Sequence, residues 1–233
     1  MCHAGGEGLL SSMAESAKEY RIQSFDKETQ SLLKTALKEP SKVDLNRVST
    51  IIVDQSLKDH NFSKEAGRIC HTIVQAEARE AGASVFRHHL LNRLQQEFKA
   101  REKTRCRSVQ EWVHFVTFFC NIFDCLKVNN MPLMALVHPV YDCLFRMAEP
   151  DSLLNKEEVD CLVLQLHHIG AQLERMSTQR MDELFCLLRD GFLLQEELSS
   201  VSRLMLLELL EFRAGGWSLS DTAHKYYYSE VGD

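Results

Sequence analysis

Residues 129–147 read NNMPLMALVHPVYDCLFRM, and their apolar side chains recur at the spacing of one helix face. That face consists of Leu133, Leu136, Val137, Val140, Tyr141, Leu144 and Met147. The spacing continues across Pro139, a residue that removes one backbone hydrogen bond and kinks a helix without ending its apolar face. The stretch is therefore predicted to be a kinked core helix, with Asn130 as its N-cap and Pro132 in its first turn.

The same helical period extends through the segments on both sides. Ser108 and Glu111 form a capping-box pattern that opens VQEWVHFVTFFCNIFDCLKV (109–128), a segment apolar enough to be buried all round. Asn155 stands in the cap position of a later helix, and Ser63 in that of a helix ending at Gly82. No alternation of apolar and polar residues bounded by hairpin turns predicts a strand.

Helix pairs recur at a regular interval along the chain. The first helices of successive hairpins are predicted to start near residues 26, 63, 108, 155 and 199. Antiparallel helix pairs repeating at about 40–47 residues are typical of HEAT and armadillo solenoids. The predicted fold is all-α, a HEAT-repeat-like α-solenoid of about five antiparallel helical hairpins. Residues 1–22 are interpreted as a flexible leader and residues 23–233 as a single domain.

The composition is that of a soluble globular protein, with 45% apolar and 26% charged residues. No apolar run reaches the roughly 18 residues that a membrane-spanning helix needs, and the N-terminus has no signal-peptide pattern. The eight cysteines form no CxxC pair. Reduced core cysteines are therefore expected rather than a disulfide framework, which favours the cytoplasm and the nucleus.

Residue patterns for catalysis or metal binding are missing from the sequence. His138 and Cys143 are five residues apart, about 140° around a helix, and Cys120 and Cys125 share that spacing. The sequence has no GxSxG motif, no catalytic Cys/His signature and no glycine-rich phosphate loop. We therefore predict no catalytic residue, no metal ligand and no cofactor.

Charge is distributed unevenly along the chain. Residues 1–107 carry 18 Lys and Arg against 14 Asp and Glu, whereas residues 108–233 carry 9 against 19. The basic residues of segment 87–107 are Arg87, Arg93, Lys99, Arg101, Lys103, Arg105 and Arg107. Such a patch would suit RNA phosphates or an acidic partner, and equally a solvated helix end. No aromatic residue interleaves with the five basic residues from Lys99 onward, so base stacking is not indicated.

Three aromatic residues stand close to the C-terminus, namely Tyr226, Tyr227 and Tyr228. Aromatic side chains bury large apolar areas, so a run of three seldom stays in water. The run is interpreted as a cap that packs against the last hairpin, with contact to a partner as the alternative.

Several segments carry a family resemblance. They are YRIQSFDKETQSLLKTALK (20–38), FSKEAGRIC (62–70), LLNRLQQEF (90–98), NIFDCLKVNNMP (121–132), HPVYDCLFR (138–146), QRMDELFCLLRDGFLL (179–194) and AHKYYYSE (223–230). Together they resemble the MIF4G domain, the middle domain of eukaryotic translation initiation factor 4G, and within that family its small stand-alone members.

The resemblance implies a translation adaptor rather than an enzyme. Such an adaptor would bridge the stem-loop-binding protein, at the 3′ end of replication-dependent histone mRNA, to translation initiation factors, and would promote mRNA circularisation and translation. It further implies a homodimer, an indirect association with mRNA, and no membrane partner. The alternative that the residues leave open is a direct RNA-binding module that uses segment 87–107.

Overall fold

The computed structural model describes residues 22, 24–82, 84–128 and 131–228. In chain order its α-helices are α1 Lys27–Lys38, α2 Leu45–Lys58, α3 His60–Ser63, α4 Ala66–Ala81, α5 Val85–Arg107, α6 Val109–Cys125, α7 Met134–Met147, α8 Pro150–Leu153, α9 Lys156–Met176, α10 Thr178–Leu194, α11 Ser200–Ala214 and α12 Asp221–Tyr228. A 3-10 turn spans Pro40–Lys42, and two antiparallel strands, β1 Lys127–Val128 and β2 Met131–Pro132, precede α7.

The long helices form five successive hairpins, α1–α2, α4–α5, α6–α7, α9–α10 and α11–α12. The first helices of these hairpins, α1, α4, α6, α9 and α11, pack side by side as one layer. The second helices form the opposite layer. The expected all-α solenoid of five hairpins is therefore confirmed, and each first helix begins within three residues of its predicted start.

Helix α6 lies at the centre of the core. It packs against α2, α4, α5, α7 and α9. Its aromatic side chains Trp112, Phe115 and Phe119 are buried and stack in sequence, with ring centroids 6.2 and 5.3 Å apart. This helix is buried nearly all round, as its composition predicted, and the neighbouring hairpins are arranged around it.

Local capping signals start and end the helices largely where the sequence placed them. Ser108 Oγ accepts the Glu111 N–H at 3.2 Å, and Asn155 Oδ1 accepts the Glu158 N–H at 3.2 Å. Gly82 ends α4 in the left-handed conformation, with a φ of 61°, which costs a residue without a Cβ no steric strain.

Helix α7 continues through Pro139 as predicted, but its start was predicted wrongly. The helix begins at Met134, and Pro132 lies in β2, opposite Lys127. The expectation of no strand is likewise wrong for this hairpin, because strands that form only two residue pairs need no alternating pattern. Pro132 is tolerated there because the end of a strand can lack one backbone N–H. Asn130, the predicted cap, lies outside the described residues.

The predicted helix over 63–82 is interrupted. Asp59 Oδ1 accepts the N–H groups of Asn61 at 2.9 Å and Phe62 at 3.2 Å, which starts the short helix α3. Ser63 is therefore not a cap, and its hydroxyl donates to the His60 carbonyl at 2.7 Å. The sequence reasoning overlooked Asp59.

Most of the predicted leader 1–22 lies outside the described residues. The one residue of it that the structure describes, Ile22, is 3% exposed and belongs to the core. Among the described residues, the first that belongs to the core is therefore Ile22, one residue before the predicted domain boundary.

Candidate binding groove

A groove of about 620 Å³ crosses the exposed edge of the first layer. It runs between the α3–α4 segment on one side and α9 on the other, with α6 as its floor. Three successive hairpins therefore contribute to one open depression, which we call the first-layer groove.

The floor is built from one side of α6. Val113, Thr117, Asn121 and Asp124 recur on this face at helical spacing. Asn121 Oδ1 accepts the Gly67 N–H at 2.7 Å, and a Cβ at Gly67 would fall closer than 3.0 Å to the Asn121 side chain. This close approach of α4 to α6 fixes the position of the floor relative to the first wall.

The first wall is cationic. Lys64 and Arg68 are exposed, and Arg68 meets only Glu65 at 3.7 Å among the ion pairs of the described residues. The His60 ring lies 5.4 Å from the His114 ring, and the His114 Nδ1 donates to the Leu57 carbonyl at 2.9 Å. Burial, with Lys64 and His114 nearby, lowers the pKa of His60, so this imidazole is neutral at physiological pH.

The second wall is acidic at one end and apolar in its middle. Glu157, Asp160, Leu164 and His168 lie on one face of α9, at positions i, i+3, i+7 and i+11. Leu164 is 55% exposed. Within the described ranges, neither Glu157 nor Asp160 takes part in an ion pair.

One ion pair links this wall to the floor. His168 Nε2 lies 3.3 Å from Asp124 Oδ2. Hydrogen bonding to this carboxylate raises the pKa of His168, and the same contact lowers the pKa of Asp124. Along its second wall the groove thus presents the acidic Glu157 and Asp160 first, then the apolar Leu164, and then His168 paired with Asp124.

The groove offers binding groups rather than reactive ones. Burial raises the pKa of the Cys125 thiol to about 11 and that of Cys161 to about 12, so both thiols are protonated at neutral pH. No group of three or more His, Cys, Asp or Glu in the described chain is arranged to hold a metal ion. None of the helices that the structure describes is long and apolar enough to cross a bilayer.

Three arginines of the basic segment 87–107 pair with carboxylates within the fold. Arg93 binds Asp54 at 2.7 Å and also contacts Glu97, and Arg107 pairs with Glu111. Arg105 is the third, and its side chain is 15% exposed and pairs with Glu158. These side chains are held by carboxylates that a partner would have to displace.

Arg105 belongs to a buried polar cluster around Glu158. The Glu158 carboxylate is fully buried and accepts the Arg105 Nε and Nη2 at 2.8 Å each, the Trp112 Nε1 at 2.9 Å and the Ser152 hydroxyl at 3.1 Å. These hydrogen bonds raise the pKa of the Arg105 guanidinium. Sequence reasoning missed the Glu158 side chain, because its partners lie up to 53 residues away.

The remaining basic residues face different surroundings. Lys99 and Lys103 are exposed and four residues apart, so they share one side of α5 with Arg107. Arg101 stacks on the Phe98 ring at 4.2 Å and donates to the Phe98 carbonyl at 3.0 Å. Arg87 is half-buried near the other end of the helix.

The tyrosines at the C-terminus contact the last hairpin. Tyr227 donates to Glu211 at 2.7 Å and Tyr228 to Glu208 at 3.2 Å, so both hydroxyls bind carboxylates of α11. Tyr226 is 67% exposed and packs edge-on against the Tyr227 ring. Tyr228 is 57% exposed as well, so both the packing interpretation and contact with a partner stay predictions.

Comparison with known proteins identifies relatives along nearly the whole chain. The family model of the MIF4G domain matches residues 12–215, and so begins inside the predicted leader and ends before α12. The chain is 75% identical to MIF4G domain-containing protein B of Danio rerio over 222 residues, which covers 95% of this chain and all of that protein. It is 68% identical to MIF4G domain-containing protein of Homo sapiens over 218 residues, which covers 94% of this chain and 98% of that protein.

Proposed function

Because this chain belongs to the MIF4G domain family, a family of helical scaffold and adaptor domains, we propose that it is a non-enzymatic adaptor in translation. In this proposal it bridges the stem-loop-binding protein, on the 3′ ends of replication-dependent histone mRNA, to translation initiation factors. The bridge promotes circularisation and translation of the message. The choice of the stem-loop-binding protein as the partner rests on the family resemblance of the sequence segments.

The first-layer groove is the observation that supports this proposal. It is open, it spans three hairpins, and its walls include Lys64, Glu157 and Asp160, which take part in no ion pair within the described residues. A solenoid groove of this kind suits a short disordered segment of a partner, which gains affinity from side-chain anchors along the groove. Two such ligands on one rigid body raise each other's effective concentration, which is the physical basis of bridging.

Association with mRNA is proposed to be indirect. Of the seven basic residues in segment 87–107, Arg93, Arg105 and Arg107 already bind carboxylates within the fold. The excess of acidic residues in 108–233 also repels a phosphate backbone. Direct RNA binding through this segment is the alternative that the experiment below distinguishes.

Self-association is proposed as part of the same function. Leu193, Leu194, Val201 and Leu204 are 62%, 75%, 54% and 39% exposed at the junction of α10 and α11. Apolar side chains exposed at the terminal hairpins suit contact with a second copy of the chain. Sedimentation equilibrium of the wild type beside Leu194→Arg tests this, with a shift toward the monomer as the expected result.

The cytoplasm and the nucleus are proposed as the locations of the protein. The seven cysteines within the described ranges are all free, and four of them, Cys70, Cys120, Cys143 and Cys161, are buried in the core. Reduced cysteines of this kind are typical of these reducing compartments. Fractionation of cells that express a tagged chain tests the location.

Calorimetric titration with overlapping peptides of the stem-loop-binding protein tests the adaptor proposal. We expect one peptide to bind the wild type and to lose binding to Leu164→Arg, because Leu164 is the exposed apolar side chain of the second wall. Met134→Arg is the matched control, since Met134 is 64% exposed and lies outside the groove lining.

A histone stem-loop RNA is titrated beside the peptides at two salt concentrations. Peptide binding with no response to RNA alone supports the adaptor. RNA binding that weakens steeply with salt and is lost in Lys99→Glu/Lys103→Glu, without peptide binding, moves the function to segment 87–107.

A further inference from the structure

We propose that the first-layer groove selects an extended peptide in which acidic side chains alternate with basic or apolar ones. The inference rests on the proposed function, because it takes the groove as a peptide site and specifies the chemistry of the ligand. It follows from the charges of the two walls, the absence of ion pairs between them, and their length.

The two walls carry side chains of opposite charge. Lys64 and Arg68 stand on the α3–α4 side. Glu157 and Asp160 stand on the α9 side, followed by the exposed Leu164. A ligand between the walls therefore meets cations on one flank and carboxylates, then an apolar side chain, on the other.

The two walls do not neutralise each other. No ion pair within 4.0 Å joins Lys64 or Arg68 to Glu157 or Asp160 among the described residues, since the groove separates them. Lys64, Glu157 and Asp160 take part in no ion pair among the described residues, so a ligand meets these three without breaking an existing pair, and at Arg68 it competes with the 3.7 Å contact to Glu65. Complementary charges of this kind select among partners more than they add raw affinity.

The extended conformation follows from the positions of the walls. Successive side chains of an extended strand point to opposite sides, so alternate residues of one ligand reach opposite walls. Acidic residues of the ligand then face Lys64 and Arg68, while basic residues face Glu157 and Asp160. An apolar residue on the second flank contacts Leu164. A nucleic acid does not fit, because its phosphates meet the acidic wall.

The wall length sets the length of the ligand core. From Glu157 to His168 the α9 wall rises about 16 Å, at about 1.5 Å per residue. An extended chain advances about 3.3 Å per residue, so about five residues span the wall. The expected core is therefore a segment of about five residues with period-two charge alternation and one apolar side chain.

The experiment begins by panning a random twelve-residue peptide library, displayed on phage, against the full-length chain. Enriched peptides are resynthesised with a fluorescent label, and their binding is measured by anisotropy. We expect acidic residues at alternate positions, basic residues between them and a leucine-like residue near one end. Binding of these peptides should be lost in Leu164→Arg.

Charge reversal of either wall tests the assignment of the flanks. Lys64→Glu/Arg68→Glu should weaken binding about tenfold, equivalent to about 1.4 kcal/mol, because two exposed attractions become repulsions. Glu157→Lys/Asp160→Lys should do the same. A peptide with its Glu and Lys positions exchanged should bind the wild type weakly, because both flanks are mismatched, and should bind each single-wall variant better, because one flank is then matched. The exchanged peptide should bind a chain with both walls reversed about as tightly as the original peptide binds the wild type. Lys99→Glu/Lys103→Glu is the control of equal charge change outside the groove.

The outcomes separate this inference from the proposed function. Peptides that depend on Leu164 but show no alternation, and tolerate both wall reversals, overturn the inference and leave the peptide site in place. Enriched peptides that bind Leu164→Arg as well as the wild type, or a library from which nothing is enriched, overturn both. Circular dichroism of each variant checks that the helices persist.

Discussion

Replacing Arg105 by alanine is expected to destabilise the fold rather than to remove a binding contact. The guanidinium donates two hydrogen bonds of 2.8 Å to Glu158, whose carboxylate is fully buried. Arg105→Ala leaves that carboxylate with the Trp112 and Ser152 donors but without a counter-charge. An unpaired charge in the interior is among the costliest single changes in a folded protein.

The magnitude follows from the burial of the two partners. Breaking a buried ion pair by removing one partner costs about 3–5 kcal/mol. The Arg105 side chain is 15% exposed, so water reaches the Glu158 carboxylate once the guanidinium is gone. The expected loss in the free energy of unfolding is therefore about 3 kcal/mol, the lower end of that range. With a urea m-value of about 3 kcal/mol per molar for a chain of this size, the unfolding midpoint should fall by about 1 M.

Urea unfolding followed by circular dichroism measures the effect. Lys103→Ala is the matched control on the same helix, because Lys103 is exposed and its change should stay within about 0.5 kcal/mol. The double variant Arg105→Ala/Glu158→Gln should be more stable than Arg105→Ala alone, because the neutral amide removes the unpaired charge. A midpoint for Arg105→Ala that matches Lys103→Ala would refute a structural role for Arg105.

Two further outcomes are expected from contacts elsewhere in the fold. Gly170→Ala should cost about 1–3 kcal/mol and shift the Trp217 fluorescence, because a Cβ there would fall closer than 3.0 Å to the Trp217 ring; an unchanged urea midpoint and spectrum would contradict it. Hydrogen bonds from Arg146 lower the pKa of Asp151 to about 2. This carboxylate therefore adds stability above the ordinary carboxyl pKa of about 3.9, and the contribution is lost as the pH falls toward 2. Carboxyl NMR titration measures this pKa, which should rise toward its ordinary value in Arg146→Met and would contradict the assignment if it did not.

Much of the helical architecture could be predicted without the structure. Ser108, Asn155 and Gly82 act where they were placed, and α7 runs through Pro139 as its apolar face required. The misplaced boundaries have local causes. At 63–82 two capping candidates compete, and at Pro132 a hairpin of two residue pairs leaves no pattern to read.

The candidate site was harder to predict than the helices. Sequence reasoning selected charge density in segment 87–107, yet Arg93, Arg105 and Arg107 bind carboxylates of the fold. It passed over Lys64, Asp160 and the other groove residues because each lies alone among ordinary helix-surface residues. Their significance arises only when α3–α4 and α9 stand on opposite sides of α6.

One physical reason explains why the helices could be predicted from the sequence and the candidate site could not. Helical period, capping and hairpin interval depend on residues within a few positions of one another, so the order of amino acids already contains them. The pairing of Arg105 with Glu158 spans 53 residues, and the first-layer groove joins three hairpins. Which charges are neutralised and which remain open to a partner is therefore decided by packing between distant segments, once the hairpins stack around α6.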